Sequence, residues 1–235
     1  MSAEPLLWTL LLLGVGGLLM VLPFWPAWAE WRRPLDREAL VVNTQPLTGT
    51  RLLTLRLPAG ARFESLQADK IVLGEGGTAP ISPTAEFERW QPPPRARPWG
   101  LQGWQIPHDL TIPAGQWVPC SLVVRGRLNV EGPGRLEGDI KTRGPMRIGA
   151  GCRVQGNLFS EGDIRLETGC QVSGVVMAEG RLLLAPHVVI GQPRSPVSVC
   201  ADVIDAQGPV LVHGSVQARI QGHVQGAPAL PPPVA

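Results

Sequence analysis

Few side chains in this 235-residue chain are placed to do chemistry. The candidates for a general base are His108, His187, His213 and His223. A catalytic imidazole needs a partner that sets its tautomer, and none of the four forms a convincing pair with a carboxylate. Cys120, Cys152, Cys170 and Cys200 contain no C-x-x-C pair and lack the dense spacing of a secreted disulfide scaffold. Cys152 and Cys170 stand at the same position of successive repeats, with His187 near the next copy. That spacing would suit a small metal site or a disulfide between turns. It suits equally a stack of small buried residues at a corner, which is the simpler reading. Glu137, Asp139, Glu161, Asp163 and Glu179 resemble paired carboxylates, yet each lies at an outward position near Arg135, Lys141, Arg165 or Arg181. They read as a solvated charged surface. No glycine-rich loop follows a strand and opens a helix, so nucleotide binding has no support. The sequence predicts no enzyme, no catalytic residue, no cofactor and no bound metal.

What must position these groups is a repeat. From Thr111 to Leu182 the chain reads TIPAGQWVPCSLVVRGRL, NVEGPGRLEGDIKTRGPM, RIGAGCRVQGNLFSEGDI and RLETGCQVSGVVMAEGRL, four copies without a slip. A fixed short period is the signature of a solenoid. The aliphatic columns are Ile112, Val130, Ile148 and Leu166; Val118, Leu136, Val154 and Val172; Leu122, Ile140, Leu158 and Val176; and Leu128, Met146, Ile164 and Leu182. Within a copy the apolar residues alternate, as in Met146-x-Ile148, which is the period of strands and not of helices. Glycine columns at Gly126, Gly144, Gly162 and Gly180 and at Gly138, Gly156 and Gly174 mark corners, where a positive φ is expected. Each turn is then about three short strands, pairing in parallel with the next turn ~4.8 Å away. The expected fold is an all-β parallel β-helix.

Composition agrees. The chain has 28 glycines, 25 prolines and no tyrosine, which suits a turn-dense solenoid better than an aromatic sandwich core. A formal charge of +2 with no basic face gives no case for nucleic acid.

The first residues carry a different signal. Leu6 to Leu22 is uncharged, and extended to Trp25 it reaches the length of a membrane-spanning helix. Trp25, Trp28 and Trp31 follow as an interfacial belt, then Arg32 and Arg33. Basic residues after the apolar run favour a retained anchor over a cleaved signal peptide. They place the β-helix on the cytoplasmic side of the inner membrane. The expected organisation is an anchor over 1–33, a connector over 34–50, a first or capping coil over 51–74, a Pro/Trp-rich excursion over 75–100, the β-helix over 101–225, and a disordered Pro-rich tail over 226–235. Leu57-Pro58-Ala59-Gly60 matches Ile112-Pro113-Ala114-Gly115 and ties the early coil to the repeat. Trp90, Trp99 and Trp104 are expected to cover an apolar end of the stack.

The motif V-x-G-x-aliphatic, as in Val154-Gln155-Gly156-Asn157-Leu158 and Val172-Ser173-Gly174-Val175-Val176, with the corner strand Gly162-Asp163-Ile164-Arg165-Leu166, resembles the bactofilins over roughly Ile112 to Val224. The resemblance implies a right-handed β-helix that polymerises end to end without nucleotide and scaffolds cell-wall or morphogenesis proteins. The expected partners are other copies of the chain and the membrane. Three features depart from the usual pattern: the full hydrophobic anchor, the Pro/Trp excursion and the irregular repeat after Leu184. Two alternatives stand beside it. The aliphatics at Val130, Leu136, Ile148, Val154, Leu166, Val172, Leu184 and Ile190 also fit the hexads of left-handed β-helix acyltransferases, although the third hexad of each turn, starting at Thr142, Ser160 or Ala178, does not. An exported envelope adaptor would follow if the first 29 residues were cleaved.

Overall fold

The computed structural model describes residues 54–76, 86–100 and 102–225. Three flat faces make up the stack, and each turn adds one strand to each face. The first face carries β3 (Glu88–Arg89), β7 (Gln116–Val118), β10 (Arg135–Leu136), β13 (Arg153–Val154), β16 (Gln171–Val172) and β19 (Val189–Ile190). The second carries β5 (Gly103–Ile106), β8 (Ser121–Val124), β11 (Ile140–Thr142), β14 (Leu158–Ser160) and β17 (Val176–Ala178). The third carries β6 (Leu110–Ile112), β9 (Leu128–Val130), β12 (Met146–Ile148), β15 (Ile164–Leu166) and β18 (Arg181–Leu184). All these rungs pair in parallel, with Leu136 on Val154, Ile140 on Leu158 and Met146 on Ile164 as the repeat requires.

Alternation sends one set of side chains inward. Val118, Leu136, Val154 and Val172 form one buried column, Ile148 and Leu166 belong to a second, and Ile164 and Leu182 to a third. Each fully buried aliphatic contributes about 1.5–3 kcal/mol of transfer free energy. Thr142 and Ser160 also point inward, and their hydroxyls are satisfied by the Gly144 carbonyl at 2.8 and 3.0 Å.

The architecture is an all-β solenoid of about nine turns. This corrects the expectation that a membrane-spanning helix precedes it. The described residues form twenty-one strands and no helix, and none of them makes a helix long and apolar enough to cross a membrane. The physical reason is the period: within the described residues the apolar side chains alternate, and no described stretch repeats them at three and four over ten residues. The anchor residues Leu6, Leu22, Trp25, Trp28, Trp31, Arg32 and Arg33, the connector, residues 77–85 of the excursion and the tail lie outside the described residues.

Towards the C-terminus the short rungs merge. β20 (Val197–Ala206) covers the second and third faces, and β21 (Val210–Val224) runs over all three. Gln192 and Ser195 bridge across the small loop that displaces the period here. On β21 lies β2 (Arg62–Leu73), which comes from the beginning of the chain and runs antiparallel, pairing Leu66 with Val216 and Leu73 with Val210. β1 (Leu55–Leu57) adds one more parallel rung on the end of β2. Among the described residues the chain therefore begins at the C-terminal end of the stack and pairs at the opposite end from Glu88, which lies on Gln116 of β7. There β4 (Arg97–Trp99) folds antiparallel against β5.

The glycine columns owe their identity to crowding more than to φ. Of the two expected corner columns only Gly138 has a positive φ, +128°. At Gly156 a Cβ would lie 2.1 Å from the Gly138 carbonyl oxygen, and at Gly174 it would lie 2.4 Å from that of Gly156. Successive turns touch backbone to backbone at this corner. Left-handed residues occupy the remaining corner, with Gly151 at +69°, Gly169 at +72° and His187 at +62°.

The Gly156→Ala variant is therefore expected to lose about 2–3 kcal/mol. Urea unfolding followed by circular dichroism measures it, and a loss under about 0.5 kcal/mol would contradict the close-contact account.

Candidate functional site

The groups singled out for chemistry are dispersed by the fold. His108 Nδ1 lies 2.8 Å from the Asp109 carbonyl oxygen, and buried His213 places Nδ1 3.1 Å from that of Asp69. His223 sits on β21 opposite Arg62. The backbone N–H of His187 donates to the Pro209 carbonyl at 2.6 Å, and the residue holds a corner that glycine holds in the two turns before it. No cluster of three or more metal-ligating side chains occurs among the described residues.

Cys152 and Cys170 are stacked, fully buried and free of disulfide. The next residue in their column is Val188, also buried, so the column is apolar packing. The Cys170 thiol donates to the Gly149 carbonyl at 3.0 Å. Burial pushes the Cys152 thiol up to about 11 and the Cys170 thiol up to about 12, with the Cys152 neighbour adding to the latter. Both are therefore held as protonated thiols at neutral pH.

The outer carboxylates are more organised than a solvated surface requires. Asp139 accepts from the backbone N–H and the side-chain amide of Asn157 at 2.9 and 2.8 Å, and Asn157 in turn accepts from the Val175 N–H at 2.8 Å. At the next corner Asp109 accepts from the Arg127 N–H and Asp163 from the Arg181 N–H, each at 2.7 Å. Each of these side chains satisfies a donor one turn further along the stack. The signal was present in the sequence as Asp139 and Asn157 one repeat apart, but it reads as hydrophilic spacing until the register is known. Glu167 is held between Arg147 and Arg165 at 2.9 and 2.8 Å. Burial alone would raise its pKa. The hydrogen bonds and charges of the two arginines outweigh that and set it below the ordinary 4.5.

These contacts run from turn to turn and stabilise the stack. The surfaces available for function are the two ends and the flat faces. At the N-terminal end Trp90 is buried and Trp104 packs partly against the core, while Trp99 stands 52% exposed on β4. β3 and β6 each pair only with the rung above them, so their outer edges are open among the described residues. At the C-terminal end β2 is paired on its outer side only over Ile71–Leu73.

Two measurements check the site. With its folded-state pKa depressed, the Glu167 carboxylate contributes stability above the unfolded value and loses it as pH falls through the folded value. Glu167→Gln is thus expected to cost no more than about 1 kcal/mol at pH 7. The gap to the parent should close as the pH drops below 4.5; a pH-independent difference would contradict the ion-pair account. A thiol reagent should leave Cys152 and Cys170 untouched in the native protein and reach four cysteines in denaturant without added reductant. Rapid native labelling of either would contradict their burial.

No protein-family model, curated protein or solved structure matches this chain, so the geometry of the solenoid carries the functional argument by itself.

Proposed function

We propose that this chain is a polymer-forming scaffold of bactofilin type, which assembles without nucleotide and orders cell-wall or morphogenesis proteins along its surface. The observation that carries the proposal is the state of the two ends. A β-solenoid is consistent with a β-helix scaffold, and its end rungs present open backbone edges beside an apolar cross-section.

The N-terminal edge is the better defined. Leu110 donates to the Arg127 carbonyl at 2.8 Å and Ile112 accepts from Glu131 N–H at 2.8 Å, so these two residues turn their backbone towards β9. In a parallel ladder the residue between them turns its N–H and C=O the other way. Thr111 therefore offers a donor and an acceptor to whatever lies beyond the end, next to buried Leu110 and Ile112. The C-terminal end differs from the interior because β2 reverses direction. A copy that joined β2 in the same orientation would pair with it antiparallel, so the polymer contact does not simply continue the repeat. Placement at the cytoplasmic face of the inner membrane belongs to the same proposal and rests on the sequence alone.

The full chain is expected to form filaments or ribbons at low salt without nucleotide, visible by negative-stain electron microscopy. Thr111→Pro removes the outward donor and spares the bonds to β9. It should keep the parent's thermal unfolding and lose most of its filaments. Filaments equal to the parent's would show that this edge is not the polymer contact, and a strictly monomeric parent would overturn the proposal.

A further inference from the structure

One outer face carries a pattern that matches itself when turned over. On the second face Gln105, Val123, Lys141, Phe159, Met177 and Cys200 stack in register as an outward column. Beside it stand Arg125, Arg143, Glu161 and Glu179, each donating its N–H to a carbonyl one turn back, and each exposed. That second column is basic in its first two rungs and acidic in the next two. Lys141 reaches Glu161 at 3.7 Å, an exposed pair that contributes little by itself. A groove of about 410 Å³ runs along this face from the Gln105 rung past Val123 and Lys141 to Phe159, with Trp99 at its side. Three rungs above Val123, Met177 projects into solvent, 43% exposed.

From this we infer that the second face is a docking surface for a second copy of the chain, laid face to face with its stack axis reversed. Charge and shape put the two-fold axis in the same place, along the strands between the Lys141 and Phe159 rungs. By charge, this axis sets Arg143 against Glu161 and Arg125 against Glu179 of the other copy. By shape, it sets Met177 over the groove at Val123, twice by symmetry. It also brings the Lys141 ammonium to the Phe159 ring, a cation–π arrangement. An axis along the stack, with copies parallel, would leave Arg143 facing Asp139 but Glu161 facing Asn157 and Glu179 facing Val175, and would set Met177 against Met177. The patch is four rungs of ~4.8 Å tall, small for a stable interface, so the contact is weak alone and multiplies when several copies are aligned. It does not depend on the end-to-end contact proposed above, since it does not use the open Thr111 edge of β6.

Single-cysteine cross-linking tests it on the full chain, with Cys120 and Cys200 changed to serine so that only the introduced thiol is accessible. Val123→Cys and Met177→Cys chains, mixed and treated with a short bis-maleimide, should give mainly the mixed dimer. Within one chain the two sites are three rungs apart, and each chain carries only one of them, so the product reports contact between copies. Adding Glu161→Arg and Glu179→Arg to both chains should cut its yield at least tenfold, and further adding Arg125→Glu and Arg143→Glu should restore it. No mixed dimer, a dominant Met177→Cys homodimer, or a yield indifferent to charge reversal would each overturn the inference. The same cross-link should persist in the Thr111→Pro background, where end contacts are lost. Its disappearance there would mean that the face pairs only as a consequence of end-to-end assembly, which also overturns the inference as stated.

Discussion

Everything in this molecule depends on backbone pairing between successive turns in one register. Once Leu136 lies on Val154 and Ile140 on Leu158, each residue meets its own copy one turn away, at strand spacing. An aliphatic column becomes a dry interior at no extra cost in specificity. A corner where the backbones meet becomes a glycine column, because at Gly156 there is no room for a Cβ. A polar corner becomes a relay in which Asp139 and Asn157 each satisfy a donor of the following turn. The stack thus turns a one-dimensional repeat into contacts that are nearly all between turns, and its stability is that of each turn plus its interfaces.

The same register explains the surface. Outward residues are relieved of packing and free to differ from turn to turn, so charge order along a column carries information that the core does not. Where opposite charges fall within reach they pair, as Glu167 does with Arg147 and Arg165. Where a column changes sign along the axis, as from Arg143 to Glu161, it is complementary to itself reversed. At the ends the register runs out, and open edges remain beside buried apolar side chains.

Much of this was legible in the repeat. The columns around Val118, Val154, Ile148 and Leu182 follow from alternation and period alone, and they lie buried as alternation demands. The corner glycines read as positive-φ positions in the sequence, because spacing reveals a corner but not whether φ or a neighbouring backbone excludes a side chain. β2 was harder still. Its antiparallel seat on β21 has no counterpart in the repeat, since it arises from covering an end and not from propagating a turn. The Cys152 and Cys170 pairing looked like chemistry only until Val188 took the next place in the column. The membrane-spanning helix expected at the beginning has no counterpart in the described strands.

The central claim is that this solenoid builds filaments by stacking its ends, with strands lying across the filament axis. Fibre diffraction from aligned assemblies of the full chain tests it most directly. The account predicts a reflection near ~4.8 Å on the meridian, because rungs repeat along the filament. The same reflection on the equator would show that solenoids lie across the filament, and would contradict end-to-end assembly.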